Sequence, residues 1–244
     1  MEKYKLYLKI IQIIFLFICV YFIILFSIDS KNIILKIITD AKWLNLLISV
    51  LLWCFVIFLM PLLSYHVLSD KENVSYEYLL NIYINRLPAK YIPGGIWQSV
   101  ARVHDLYKKG VGKKKIAILV FYENYWCALV GAIISSAIIY HYNDIGVWSD
   151  IALVAMLISF LTLLFLSLFR RAQFILELSC YIKITIISLI YWLMVSASFY
   201  YYIDAFGVLF NNSYIDVSVS YIFSWVIGYV SIFAPQGIGV FEVV

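Results

Sequence analysis

Glu123 is a charged residue set into an apolar and aromatic run, and Arg102, of opposite sign, stands on the polar stripe of a helix expected just before it. Glu123 lies seven residues into the apolar run that begins at Ile116, about 10 Å along a helix axis. A carboxylate at that depth is expensive unless it is protonated, paired or solvated, so a functional role is the default expectation. The plainer alternatives are a Glu that snorkels to the interface and one paired with a structural Arg. Arg102 belongs to the stretch Tyr91 to Arg102, YIPGGIWQSVAR. Pro93 restricts the backbone, Gly94 and Gly95 permit a sharp turn, and a helix is expected to start at about Ile96. Free N–H groups at a helix start attract anions. With Trp97, Gln98 and Arg102 just beyond, the segment can hold a lipid phosphate; the plain alternative is a tight turn before an interfacial helix.

The helix after the break has two faces. Ile96, Val100, Val103 and Tyr107 recur at helical spacing on one side, and Gln98, Arg102, Asp105 and Lys109 on the other. Before the break, Tyr76 to Leu87 is apolar and aromatic but only about 12 residues long, too short to cross a bilayer, and Pro88 is expected to end it. This reads as a re-entrant or interfacial half-helix. A second break closes the chain. FAPQGIGVFEVV, from Phe233 to Val244, stops a span at Pro235, passes through Gly237 and Gly239, and carries Gln236 and Glu242. Interrupted helices that meet near a cavity hold charged substrates in several transporters, by analogy only.

These residues must be positioned by a membrane framework. Of 244 residues, 65% are hydrophobic and 13% charged, and the mean hydropathy is +0.96. Those values lie outside the range of a soluble domain. Apolar runs at 10–28, 44–65, 116–140, 151–169, 184–203 and 217–233 predict an all-α, polytopic protein with six transmembrane helices, the last the shortest. The first run, behind Lys3, Lys5 and Lys9, is too long for a signal peptide core and reads as a retained helix. With the N-terminus inside, 15 of the 18 Lys and Arg fall on the cytoplasmic side, which fixes the expected orientation. Lys108 to Lys115, KKGVGKKK, reads as a solvated inner loop that also meets anionic headgroups. Trp43 and Trp148 read as interfacial anchors.

Several function classes fall away. The net charge of +4 lines a membrane face and does not point to nucleic acid. Cys19, Cys54, Cys127 and Cys180 have no Cys-x-x-Cys spacing and read as packing residues. His66, His104 and His141 form no metal-ligand pattern. No phosphate-binding glycine loop or nucleophile elbow occurs, so no cofactor and no catalytic residue is expected. Cys127, Gly131 and Ser135 follow Glu123 at spacings of four and suit close helix packing, as do Ser196, Ala197 and Ser198.

Taken together, KYIPGGIWQSVARVHDLYKKG, the Glu123 span and APQGIGVFE resemble the transmembrane domain of the lysylphosphatidylglycerol synthase family of flippase-like membrane proteins. The resemblance covers most of the chain and rests on the Pro-Gly-Gly segment with Arg102, the following Glu, and Pro235, Gly237, Gly239 and Glu242. It implies a polytopic, bacterial-type inner-membrane protein that handles a lipid or lipid-linked sugar. The soluble aminoacyl-transferase domain of full synthases is absent here, so no enzyme activity is expected of this chain itself. Family members continue with further helices after the terminal motif, so 1–244 is expected to be one membrane domain, truncated at its C-terminus.

The expected function is translocation of a lipid or lipid-linked sugar with an anionic headgroup, with Glu123 and Glu242 gating by a change of protonation or partner. The competing expectation is a component that presents a lipid acceptor to an aminoacyl or glycosyl transferase partner; a structural scaffold leaves Glu123 and both breaks without a purpose. Both breaks follow outside-to-inside crossings, so they are expected side by side around one wet pocket lined by Gln98, Arg102, Gln236 and Glu242, with Glu123 approaching from the third span. Cysteines replacing Ile96 and Ile238 in a full-length protein should then cross-link with a short reagent. Failure at every reagent length, with both thiols reactive, would assign the breaks to separate local turns.

Overall fold

The computed structural model describes residues 38–68, 74–91, 97–142, 176–207 and 213–230, with isolated helical positions at 21, 28 and between 150 and 161. Among the described residues the fold is all-helical. Helix α1 spans Trp43–Leu68 and α2 Tyr76–Arg86, which runs into a 3-10 turn over Leu87–Tyr91. Helix α3 spans Trp97–Lys108. Helix α4 (Lys113–Phe121) passes through a π-helical turn at Tyr122–Trp126 into α5 (Cys127–Tyr142). Helices α6 (Leu178–Ala205) and α7 (Tyr214–Val230) complete the set.

Three helices are long and apolar enough to cross a membrane: Trp43–Leu68, Lys113–His141 and Leu178–Ala205. They coincide with three of the six expected spans. The run at 217–233 yields the shorter apolar helix Tyr214–Gly228. The run at 10–28 lies outside the described residues except at 21 and 28, and that at 151–169 is described only at scattered helical positions up to 161. Of the three long helices, Lys113–His141 is the most enclosed, 61% buried against 22% and 33%. The helix carrying Glu123 therefore runs through the middle of the described structure. The outer faces of α1 and α6 stay apolar, with Leu47, Leu51, Phe55, Ile186 and Leu193 exposed. That arrangement suits a lipid surround, in which apolar side chains need no burial against protein.

Helices α1 and α6 pair antiparallel through small and polar residues. At one end the Lys42 N–H donates to the Ala205 carbonyl at 2.8 Å, and Lys42 Nζ meets Asp204 at 3.0 Å. Midway, Ser198 Oγ lies 3.2 Å from Ser49 Oγ and donates to the Ser49 carbonyl at 2.9 Å. At the other end Cys180 Sγ reaches the His66 carbonyl at 3.3 Å. Ser198 thus serves helix packing, the role expected from the small-residue triplet.

Helices α2 and α3 fold back on the α1 end that carries His66 and on α4. Ser75 caps α2, its hydroxyl accepting from the Tyr78 N–H at 3.2 Å. Helix α2 ends at Arg86, one residue before the expected boundary, and Pro88 sits inside the 3-10 turn that follows. The turn into α4 is set by glycine. Gly110 takes φ +95°, its N–H donates to the Tyr107 carbonyl at 3.0 Å, and the Val111 N–H reaches Leu106 at 3.1 Å. This is a Schellman motif, completed by the shared burial of Leu106 and Val111.

Gly131 marks a close contact between α5 and α6. A methyl group there would lie 2.6 Å from the Trp192 ring, and that ring is itself buried and donates to the Cys127 carbonyl at 2.9 Å. Gly131→Ala should lower the thermal midpoint in detergent, by a destabilisation of about 1–3 kcal/mol from overpacking. Pairing it with Trp192→Phe should recover part of the loss, and a neutral Gly131→Ala would show that the contact is loose.

Candidate functional site

The site grows out of four helices. Helix α1 supplies Ser64, one turn past Met60, whose carbonyl accepts from Ser64 Oγ at 2.8 Å. Pro61 sits inside α1 and is buried, and it lacks the N–H that would reach the carbonyl of Ile57. Helix α2 supplies Tyr83. Helix α3 supplies Arg102 and Gln98, and the π turn supplies Glu123 and Asn124. A π turn widens the helix by one residue, and such turns are frequent at functional sites. Here it lets two successive residues, Glu123 and Asn124, line one cavity.

Glu123 is 7% exposed. Its Oε2 lies 3.2 Å from Arg102 Nη1. Its Oε1 accepts from Ser64 Oγ at 2.5 Å and from the Tyr83 hydroxyl in a short hydrogen bond. Ser64 and Tyr83 are themselves 2.6 Å apart. The Arg102 guanidinium stacks 4.0 Å above the Tyr83 ring, a second source of attraction for a desolvated cation. Burial works against the Arg102 charge, but Glu123 and Tyr83 outweigh it and hold the guanidinium above its ordinary value. Burial, reinforced by the Glu123 carboxylate, keeps the Tyr83 phenol well above its usual range, so it stays a hydrogen-bond donor. Arg102 is not saturated. Its Nη2 makes one long bond to Ser99 Oγ at 3.4 Å, and its buried Nε has no hydrogen-bond partner.

A cavity of about 460 Å³ opens against this pair. One wall is apolar and belongs mainly to α1, with Val50, Trp53, Val56, Ile57 and Met60; the other carries Tyr83, Gln98, Arg102, Glu123 and Asn124. Val50, Trp53 and Ile57 are also exposed on the outer surface, so the cavity communicates with the space beside α1. Next to it, the α2–α3 pair is clamped by Arg86, whose Nε and Nη2 donate to Asp105 at 2.6 and 2.9 Å. Those bonds hold the Asp105 carboxyl below its ordinary range. The clamp is therefore present above the usual carboxylate range and is released only as the pH falls through the lowered value.

Of the residues singled out from the sequence, Gln98, Arg102 and Glu123 come together. Trp97 does not join them: it is exposed and borders a separate cleft with Arg86, Pro88 and His104. Pro93, Gly94, Gly95, Pro235, Gln236, Gly237, Gly239 and Glu242 lie outside the described residues, as do Ile96 and Ile238. The two expected faces of α3 do not separate cleanly: Gln98 and Arg102 line the cavity but Lys109 is exposed, and Val100 and Tyr107 are exposed while Val103 packs against the core that holds Leu106. Ser64, Tyr83 and Asn124 were not foreseen. Tyr76 and Tyr83, seven apart on α2, both reach α1, Tyr76 through the Phe58 carbonyl at 3.2 Å. That spacing was visible, but among 21 tyrosines it did not stand out. No group of three or more His, Cys, Asp or Glu able to hold a metal occurs among the described residues. Compared with protein-family models, curated proteins and solved structures, the chain matches none.

Removing one partner of a buried ion pair strands the other. Arg102→Ala should destabilise the protein by about 3–5 kcal/mol, read as a fall in the thermal midpoint in detergent. Arg102→Ala combined with Glu123→Gln should regain most of that loss. A double variant no better than the single one would show that Arg102 contributes packing and that its charge is immaterial.

Proposed function

We propose that this chain is the membrane domain of a translocase for a lipid, or lipid-linked sugar, whose anionic headgroup docks at Arg102. The observation that carries the reading is the cavity itself: a buried Arg–Glu pair on one wall and an apolar wall on the other, continuous with the outer face of α1. That division matches an amphiphile, with the headgroup against Arg102 and Gln98 and the chains along Val50, Trp53 and Ile57. Guanidinium suits phosphate because its planar edge offers two parallel donors, and Nε here has no partner. A buried ion pair contributes little net stability compared with apolar residues of the same volume, so its presence speaks for use more than for support.

In this reading the protein crosses the inner (plasma) membrane six times with its N-terminus inside. Helices α2 and α3 form a re-entrant or interfacial pair entered from the cytoplasmic side. The likeness to the lysylphosphatidylglycerol synthase transmembrane family is part of the same proposal. It rests on Arg102 and Glu123 as neighbours and on the short helix pair around the Pro-Gly-Gly segment.

The test is a leaflet-accessibility assay on the complete protein reconstituted in vesicles with a panel of labelled anionic and zwitterionic lipids. Wild type should move an anionic species. Arg102→Lys should keep the charge but lose rate on the order of tenfold, the size of one charge-assisted hydrogen bond. Glu123→Gln should insert and fold yet transport poorly. No movement of any lipid across the panel, or full rate in Arg102→Lys, would overturn the assignment.

A further inference from the structure

We propose that an anion docking at Arg102 displaces Glu123 and brings one proton into the site, so that lipid anion and proton are taken up together. The inference rests on the lipid-anion reading above and adds what each binding event must carry.

The argument begins with charge. The Arg102–Glu123 pair is neutral as it stands, and both side chains are enclosed, 13% and 7% exposed. Arg102 is the one cation among the described residues lining the cavity. A phosphodiester arriving beside the intact pair would leave an uncompensated negative charge in a desolvated pocket, which is strongly disfavoured. Expelling the carboxylate unprotonated leaves the same excess. Neutrality returns only when Glu123 takes a proton: the carboxylate gains one O–H bond, Arg102 lets go of Oε2, and its guanidinium turns the edge formed by Nε and Nη2 to the phosphate oxygens. The proton comes from water at the cavity mouth, and no other bond is made or broken.

Hydrogen-bond counting shows that the proton has a place. Ser64 Oγ, Tyr83 Oη and Glu123 Oε1 form a triangle of mutual contacts. With Glu123 ionised, the two hydroxyls supply two protons for three contacts, and Ser64 also faces the Met60 carbonyl at 2.8 Å. A proton on Glu123 supplies a third donor. Hydroxyls donate or accept by rotation, so Ser64 or Tyr83 can turn to accept from the carboxylic acid. The groups facing Glu123 are Ser64 from α1, Tyr83 from α2, Arg102 from α3 and Asn124 beside it; Cys54 and Tyr191 line the same cavity. Tyr83 stays protonated because burial raises its value, and Arg102 stays charged. Glu123 is therefore the member of the cluster that exchanges a proton.

The test is titration calorimetry on the complete protein in detergent, with dihexanoyl phosphatidylglycerol as probe because its phosphodiester keeps one charge through the neutral range. Repeating the titration in buffers of different ionisation enthalpy counts protons directly. Wild type should take up about one proton per lipid bound, and its affinity should fall about tenfold per pH unit as the pH rises. Glu123→Gln should bind at least as tightly, with no proton uptake and no pH slope. Wild-type binding without proton uptake would overturn the coupling and leave the lipid reading standing, whatever the folding of the variant. A Glu123→Gln slope equal to wild type would also overturn it. Absence of binding at every pH would overturn both. Glycerophosphoglycerol, the same headgroup without chains, should bind far more weakly; equal affinity would assign the site to a soluble phosphodiester.

Discussion

Charge buried beside lipid must be answered by opposite charge or by a dense set of hydrogen bonds, and Glu123 receives both. The carboxylate sits on the most enclosed of the long helices, so its partners have to be brought to it. Arg102 cannot come from a neighbouring span at that depth without exposing a long polar side chain to lipid. It comes from α3, a short helix folded back beneath α1 and α4. The placement of α2 and α3 follows from that requirement. Ser75 starts the pair, Arg86 ties it to Asp105, and Gly110 turns it into α4. Tyr83 touches both charges, with its ring under the guanidinium and its hydroxyl on the carboxylate.

The same constraint shapes α3, which buries Leu106, with Val103 packed beside it, in the core shared with α1, α2 and α4, and turns Gln98 and Arg102 to the cavity while Val100 and Tyr107 stay exposed. Beside lipid, burying an apolar face gains little, and polar groups seek each other because nothing outside can satisfy them. The antiparallel α1–α6 pair answers a different need. It holds its register through Lys42 with Asp204, Ser49 with Ser198, and Cys180 with the His66 carbonyl, and so presents a fixed apolar wall opposite the charged cluster.

The framework was legible wherever it depended on run length and on isolated charge. Helices α1, α4–α5 and α6 follow from long apolar runs, Glu123 stands out because a charge in such a setting needs a reason, and Arg102 followed from the break before it and the polar stripe it shares with Gln98. Gln98 followed from helical spacing with Arg102. Trp97 was grouped with them by adjacency alone, and one residue of helix is enough to turn it to another cleft. Ser64 and Tyr83 were hidden by abundance, since hydroxyls in apolar helices serve packing and binding alike. The turn at Gly110 was more readable than the basic run around it suggested: Leu106, Gly110 and Val111 carry the spacing of a Schellman stop. The π turn has no comparable signature. It arises where Glu123 and Asn124 must both face inward, a tertiary demand that local propensity does not encode. The terminal break at Pro235 falls outside the described residues.

The π turn at Tyr122–Trp126 divides one long helix into two parts whose orientations are set separately. Before it, α4 aims Glu123 at Arg102; after it, α5 aims Gly131 at Trp192. In a regular helix these directions would be locked together, since each residue advances the azimuth by about 100°. Winding the same residues as a regular α-helix would rotate one part against the other by that angle. The pocket and the packing seam could then no longer both be in register. The genetic consequence concerns length: a one-codon deletion within this segment removes the residue that the π turn accommodates, so it straightens the winding, leaves both parts in register, and costs the second inward-facing position beside Glu123.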